Sequence, residues 1–567
     1  MKILGVHDGH NATACLFEDG KVKCVIQEER LRHEKNYDGF PLLAVEKILQ
    51  VESITFDNID AVVLNGGHQP KPLSRLERVE AFKELSSSKN KFKSNLKRIK
   101  FVDAFYKDMN NDVRINNLIE LGCAKDKVHF VNHHEAHASS AYYGFGDFRH
   151  DVLVLTNDGA GDRVCATVSI GKSGKLKLIN KIHESNSIGL LYAMFTFLTG
   201  MVPLEHEYKI MGMAPYADMK GARIVADEFH QMFKVSDDGM AWEFIAGPSI
   251  YESLDYFKEF MYLKRFDHLM AGLQVFIEEF LVNWVRSSIR LTGIKKVALS
   301  GGTFMNVKAN KLIMELDEVE EIFVYPSCGD ESNAIGVAYN YFAKHDDYKK
   351  INILKDVNFG LEWSNKQIKI AYDNYDFKHD YEIEHVDNIE TVAAKTLSEG
   401  HVVARFKGRE EFGARSLGNR AILGNPSTTD VIKTINELIK NRDFWMPFAS
   451  SILDTDIERY VQINDKNNPY YMIMTYDTKE AACKELPGGI HPYDKTVRPQ
   501  LVTKEHNESY WQLINEFKKL TGIGGLLNTS LNLHGLPLVH TPEHAFEVID
   551  ESKLEFLAIG DYWITKQ

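Results

Sequence analysis

At 567 residues, with 44% apolar and 26% charged side chains, the chain is too long for one ordinary core and reads as two or three soluble globular domains. A formal net charge of −13 excludes a general nucleic-acid binder, and no apolar run approaches the length of a membrane span. The six cysteines are scattered without a C-x-x-C pair, which suits free thiols in a reducing cytoplasm. A cytoplasmic protein is therefore expected, with no leader before the first strand and with no nucleic-acid or membrane partner; the sequence says nothing of its oligomeric state.

In chain order, Ile3–Val6 reads as a strand, Asp8-Gly9-His10-Asn11 as a turn and Ala12–Phe17 as a second strand. Asp19-Gly20 then makes a hairpin into Val22–Ile26. Lys71 to Lys100 carries ten Lys/Arg against three Glu, and its apolar spacing predicts the solvated face of an inserted helical lobe over about 71–121. Val131 ends a short apolar run, and Asn132-His133-His134-Glu135-Ala136-His137 begins a helix. His133 and His137, at i and i+4, leave one helix face a turn apart, close enough to share a metal ion. Such a pair is ordinary alone, and it is not the zinc-protease motif, which needs Glu where His134 stands.

The segment after the histidines repeats the first one. Val152–Leu155 is a strand, Asp158-Gly159-Ala160-Gly161 a turn, Val164–Ile170 a strand, and Ser173-Gly174 turns into Leu176–Ile179. This duplication resembles the actin-like fold of sugar kinases and the Hsp70 ATPase, in which two equivalent hairpin loops face a nucleotide across a cleft. Two further strand–turn–helix loops fit it, Ser300-Gly301-Gly302-Thr303-Phe304-Met305-Asn306 and Cys328-Gly329-Asp330. In such a fold Asp158 and Asp330 would converge with His133 and His137. Two imidazoles with carboxylates suit Fe(II), Mn(II) or Zn(II), and the donor set does not choose among them.

His345 to Lys350 is a charged linker, so the first domain is expected over 1–345 and a second over 346–567. Val402–Phe406 is a strand leading into a loop from Lys407 to Arg420, expected to open a helix and rich in Gly and Arg. Arg415, Asn419, Arg420, Lys440, Arg442 and Arg498, with Asn528, Ser530 and Asn532 at a strand end, offer the donors a polyanion such as ATP with a second phosphoester needs.

Over nearly its full length the chain resembles the ATP-dependent O-carbamoyltransferases of nodulation-factor and antibiotic tailoring. The residues that carry this are His133/His137, Asp158-Gly159, Glu207-Tyr208-Lys209-Ile210-Met211-Gly212, Ser300-Gly301-Gly302, Gly329-Asp330, Glu411 to Arg420 and Asn528 to Asn532. The resemblance implies an actin-like transfer domain followed by an α/β twisted-sheet domain similar to threonylcarbamoyl-adenylate synthase. It implies ATP and carbamoyl phosphate as substrates, carbamoyl adenylate as intermediate and a hydroxyl-bearing small molecule as acceptor. In the transfer domain it implies nucleotide contacts at Gly159, Gly161, Lys209, Gly212, Gly301, Gly302 and Asn306, and a base at His10 or Asp8. Fe(II), with Mn(II) or Zn(II) as alternatives, is expected there, and Mg with the ATP. Arg498 is expected to act in the second domain. The chain departs from the family where Met446 and Ser450 replace an Arg and a Pro, and where Ala414 and Ser416 flank Arg415. Two rival readings are a tRNA-modifying threonylcarbamoyl enzyme, which the acidic balance and fused second domain oppose, and a catalytically silent scaffold, which only Met446 supports.

Overall fold

The computed structural model describes residues 1–67, 72–85, 100–440, 443 and 445–567, with the backbone alone at 100–109 and 440. The chain divides into two compact units, one of residues 1–28 and 36–354, the other of 29–35 and 355–567.

In the first unit, β1 (Lys2–His7), β2 (Thr13–Glu18) and β3 (Lys21–Gln27) form an antiparallel meander, and β4 (Ala61–Asn65) and β5 (Val128–Val131) extend it in parallel on the β1 side. The strand order is β3-β2-β1-β4-β5. The second half repeats it. There β6 (Val152–Gly161), β7 (Val164–Lys172) and β8 (Lys175–His183) form the meander, and β11 (Lys296–Ser300) and β12 (Glu321–Val324) extend it, giving β8-β7-β6-β11-β12. A small hairpin, β9 (Phe233–Val235) with β10 (Trp242–Phe244), stands apart. Two sheets of the same order, each followed by a helix after its last strand, are the duplicated actin-like fold expected from the sequence. The helices are His133–Phe145 and Asn333–His345, and they pack against one another. Gly336 makes that approach possible, since a Cβ there would stand 2.1 Å from the Ala136 carbonyl oxygen.

The Asp158 turn differs from its sequence reading. β6 runs on through Asp158 to Gly161, and the chain reverses at Asp162-Arg163, both at positive φ (50° and 65°). Asp158 is thus a strand residue, held on a rigid element. Beyond the charged linker the chain stays with the first unit, where Asn352 N–H donates to the Gly20 carbonyl and Leu354 N–H to that of Gly144.

The second unit is built on an eight-stranded mixed sheet. Its strands are β13 (Tyr381–His385), β14 (Val403–Phe406), β15 (Arg420–Gly424), β16 (Ala449–Leu453), β19 (Pro499–Val502), β20 (Gly525–Ser530), β21 (Phe556–Ile559) and β22 (Tyr562–Lys566). Their order is β13-β22-β21-β14-β15-β20-β16-β19, and β17 (Tyr476–Asp477) pairs with β18 (Thr496–Val497) separately. Successive β14 residues point to opposite faces, as the strand period requires. Ala404 and Phe406 meet a core with Ile368, Ala371, Ala545 and Phe546 from two helices. Val403 faces a second core with Ala393, Leu397, Tyr510 and Phe517. Burial on both faces makes this a three-layer α/β domain. The Arg/Gly loop leads not into a helix but into β15, antiparallel to β14.

Residues 29–35 belong to this unit because Arg30 is fastened there. Its guanidinium pairs with Glu410 and donates to the carbonyls of Glu411 and Gly413, the latter at 2.8 Å, while His540 Nδ1 meets the other Glu410 oxygen. Arg30, Glu410 and His540 are all at most 3% exposed. Burial alone would raise the Glu410 carboxyl, but Arg30 and His540 outweigh it and bring its pKa from an ordinary 4.5 to about 2. A depressed carboxylate stabilises the fold above its unfolded pKa and loses that contribution as protons reach it. Stability of about 3 kcal/mol is therefore expected to drain away between pH 4.5 and 2. Urea unfolding of the full chain across that window checks it. Glu410→Gln should be less stable at pH 7 and should lack this part of the acid dependence.

All six cysteines are free thiols, five of them buried. Among the described residues no helix is long and apolar enough to cross a membrane.

Candidate active site and metal centre

β5 delivers the chain to Asn132, whose side chain accepts the amides of His134 and Glu135 and so caps the helix that begins at His133. Asp162, in the β6–β7 turn, fastens the same end by accepting from His133 N–H, Asn132 Nδ2 and Gly67 N–H, each at 2.9 Å. Gly161 leaves room for the imidazole, since a Cβ there would lie 2.1 Å from His133 Cγ. The helix start, the hairpin and the end of β4 are thereby one assembly.

His133, His137, Asp158 and Asp330 each aim one ligand atom at a common point, all within 4.8 Å of one another. His133 Nε2 lies 3.4 Å from Asp158 and 3.3 Å from Asp330, and His137 Nε2 lies 3.3 Å from the same Asp330 oxygen. The other Asp158 oxygen accepts the Gly302 amide at 2.8 Å. Burial opposes an imidazolium at His133, yet Asp330 and Asp158 outweigh it and raise its pKa to about 10. Burial and mutual repulsion likewise oppose ionisation of the two carboxylates, but the histidines hold both below the usual range. A buried set of two imidazoles and two carboxylates that calls for positive charge fits a divalent cation. His134 is excluded from it. Its Nδ1 meets Thr156 Oγ1 at 2.7 Å and its Nε2 the Val164 carbonyl at 2.8 Å, and burial, with His133 and His137 beside it, lowers its pKa to about 3.

Several residues around this group are not apparent in the sequence. The Asn65 amide nitrogen, at the end of β4, lies 2.9 Å from His7 Nδ1 and 3.2 Å from His133 Nδ1. Turned over, the amide would present its oxygen to both rings, fixing hydrogen on Nδ1 and leaving His133 Nε2 as a ligand. His7 Nε2 stands 3.9 Å from Asp330 and 2.9 Å from the His10 carbonyl, so the first hairpin loop reaches the metal group through it. Asn333 Nδ2 lies 3.1 Å from His137 Nε2. The one local signal was an Asn closing an apolar strand.

The two residues expected to supply a base part company. Asp8 is sequestered: Arg114 grips both its oxygens, at 2.6 and 2.7 Å, and also donates to the Asn65 and Gly66 carbonyls. It is a structural anchor, and its reading as a base is corrected. His10 keeps a ring nitrogen available to a donor, with Nε2 3.0 Å from Arg78 Nη1. Burial, then Arg78, lowers its pKa to about 4, so the ring is neutral at physiological pH. Arg78 and Arg114 stand on the inserted helices Arg75–Lys83 and Lys100–Glu120 and are 5% and 3% exposed. At these positions the insertion is an inner wall rather than a solvated face; residues 68–71 and 86–99 lie outside the described ones.

Of the residues expected at a nucleotide, Gly159 has open space where a Cβ would stand, Gly161 serves His133, and Gly302 holds Asp158. Gly301 sits at φ 104° against the Asn157 backbone. Asn306 caps the helix Val307–Met314 and exchanges hydrogen bonds with Gln274. Lys209 and Gly212 lie on the helix Glu207–Met213.

In the second unit the Arg/Gly loop is closed by its own acid. Glu411 Oε1 accepts the amides of Leu417, Asn419 and Arg420 at 2.8, 2.7 and 3.2 Å, a cradle of the kind expected to hold phosphate. Arg420 is wholly buried, donates to the carbonyls of Gly408, Asn419 and Leu361, and lies over the Phe406 ring. Asn419 binds Asn358, Arg409 and Asn507. The Arg420 Nη1 and Nη2 donors and the Asn419 side chain are thus bonded within the fold, which leaves less of both residues for an anion than the sequence reading expects. Asn528 is 2% exposed and bonds Ser416, Ser451 and Gln500, while Asn532 closes its own turn with Ser530. Arg415 and Arg498 are half-buried. Arg442 and the Lys440 side chain lie outside the described residues. Ser450, where the resemblance leads one to expect a Pro, donates its hydroxyl to the Gly489 carbonyl at 2.9 Å.

Comparison with known proteins gives two family matches. Residues 2–339 match the model for the carbamoyltransferase N-terminus and 394–566 that for the carbamoyltransferase C-terminus. The nodulation protein NolNO of Sinorhizobium fredii is 29% identical, over 98% of this chain and 79% of that protein. The nodulation protein NolO of Bradyrhizobium diazoefficiens is 30% identical, over 77% of this chain and 79% of its own length. Among solved structures, component A of (R)-2-hydroxyglutaryl-CoA dehydratase from Acidaminococcus fermentans is similar at TM-score 0.30 and 11% identity, over 61% of this chain and 98% of that one.

Proposed function

The chain belongs to the carbamoyltransferase family, and from that premise we propose that it makes carbamoyl adenylate from carbamoyl phosphate and ATP and passes the carbamoyl group to a hydroxyl of a sugar-like or other natural-product acceptor. The observation that carries the reading is the convergence of His133, His137, Asp158 and Asp330, with His10 on the neighbouring loop, inside the region matching the carbamoyltransferase N-terminus.

The chemistry divides in two. In the second unit water cleaves carbamoyl phosphate to phosphate and carbamate, and the carbamate oxygen then attacks the ATP α-phosphorus and expels pyrophosphate. That step gathers phosphate charge, for which Arg415 and Arg498, with Lys440 and Arg442, are the candidates. In the first unit the acceptor oxygen attacks the carbamoyl carbon, the bond to AMP breaks, and His10 Nε2 takes the hydroxyl proton. His133, His137, Asp158 and Asp330 would hold a divalent cation, which supplies charge to bind the adenylate phosphate or polarise the carbamoyl oxygen. Asp8, Asn65 and Asp162 keep the loop and helix in register with one another.

The test incubates the full chain with Fe(II) or Mn(II), Mg-ATP and labelled carbamoyl phosphate, following AMP and pyrophosphate with and without candidate sugars. Carbamoyl-phosphate-dependent pyrophosphate release is the expected result. Its absence would overturn the reading.

A further inference from the structure

We infer that Arg78 is a latch on His10, occupying the lone pair that an acceptor hydroxyl must take and yielding it only when that hydroxyl arrives. The inference rests on the reading of His10 as the base for transfer.

The geometry assigns the contact without ambiguity. A guanidinium has donors and no acceptor, so the His10 Nε2 that lies 3.0 Å from Arg78 Nη1 must be the acceptor. The atom expected to receive the acceptor's proton is therefore already receiving a hydrogen bond from the protein. Arg78 Nη2 donates to the Asn36 carbonyl at 3.1 Å, which aims the guanidinium from the other side. The side chain is 5% exposed, too deep for a chance surface contact. Glu205 and Asp38 lend it negative surroundings without tying it in a bidentate pair.

The contrast with Arg114 is instructive, since both arginines come from the same insertion and both seize the same loop. Arg114 grips Asp8 with two bonds and two carbonyls with two more, a permanent clamp. Arg78 gives His10 a single bond to a neutral ring, a contact that one hydroxyl can replace. In the transfer step the acceptor O–H donates to Nε2 in place of Arg78, and the acceptor oxygen bonds to the carbamoyl carbon. The carbon–oxygen bond to AMP breaks, with the electron pair leaving on AMP. The proton stays on Nε2 until solvent removes it. Arg78 enters and leaves this sequence as a cation, so it is a positioning residue. Its consequence is selectivity against water: with no acceptor bound, a water at the carbamoyl carbon lacks the further contacts that hold a bound acceptor in place and must displace Arg78 unaided before it finds a base.

The experiment measures AMP release by the full chain from ATP and carbamoyl phosphate with no acceptor added, so that water is the only hydroxyl. Arg78→Ala should raise this release on the order of tenfold. Arg78→Lys, which keeps a donor, should hold it near the unsubstituted level. The rise should vanish in the double variant His10→Gln, Arg78→Ala. Arg78→Met serves as a second removal if Arg78→Ala fails to fold, as judged by thermal melting. Release that does not rise in either removal variant, or a rise that persists without His10, overturns the latch and leaves the function standing. An unsubstituted chain with no carbamoyl-phosphate-dependent pyrophosphate release overturns the function, and the latch with it.

Discussion

Asp330→Ala is expected to abolish carbamoyl transfer while leaving carbamoyl-phosphate-dependent pyrophosphate release intact. Among the described residues, Asp330 is the one carboxylate that approaches both imidazoles of the metal group, at 3.3 Å each, and it stands 3.9 Å from His7 besides. Removing it leaves two buried histidines facing a single acid. The positive charge that the group calls for then has half its compensation, and a divalent cation loses a hard ligand as well as charge. Bound metal should fall to background by elemental analysis. Transfer from supplied carbamoyl adenylate should fall on the order of 10³-fold, the scale of a lost electrostatic centre. On the proposed division pyrophosphate release belongs to the second unit and should persist. His137→Ala should behave in the same way, because its ring is fully buried and its Nε2 has the same carboxylate as partner. A variant that keeps its metal, or that loses both half-reactions together, would show that the division into two sites is wrong.

Much of this arrangement was legible because it is written locally. The paired meanders announce themselves by alternating apolar residues and Gly turns, and the i, i+4 spacing of His133 and His137 fixes their common face whatever surrounds them. Asp330, at a strand-to-helix turn, is likewise a local feature. What sequence could not give is the choice of partner among charges. Asp8 reads as a loop acid open to substrate until Arg114, 106 residues on, is seen to close it. Arg30 lies in a charged helix like many others, yet its partner Glu410 is 380 residues distant and draws 29–35 into the second unit. The Arg/Gly loop has the composition of an anion site. It also contains Glu411, an internal anion that fills the cradle first. Composition told which charges were available, and only the fold told which were already spent.

That spending sharpens the expectation for Arg498. With the Arg420 Nη donors and Asn419 bonded within the fold, and Arg405 donating to Gly418, Asn419 and Ser509, the phosphate charge of the proposed first half-reaction has fewer cations to meet it than the sequence suggests. Arg498 immediately precedes β19, and Gln500 two residues later bonds the Leu417 carbonyl and the Asn528 amide. It is thus tethered to the loop bearing Arg415 by a rigid strand, the kind of fixed placement the proposed adenylation step asks of a phosphate-binding cation. Arg498→Ala should lower pyrophosphate release on the order of 10²- to 10³-fold. Transfer from supplied carbamoyl adenylate should be spared. Arg420→Ala provides the contrast: it unties a buried guanidinium from four carbonyls, those of Lys407, Gly408, Asn419 and Leu361, so it should lower the melting temperature and weaken pyrophosphate release only as far as the unit unfolds. If Arg498→Ala instead behaves like Arg420→Ala, losing stability and both half-reactions in step, Arg498 holds the fold and the phosphate charge is met elsewhere.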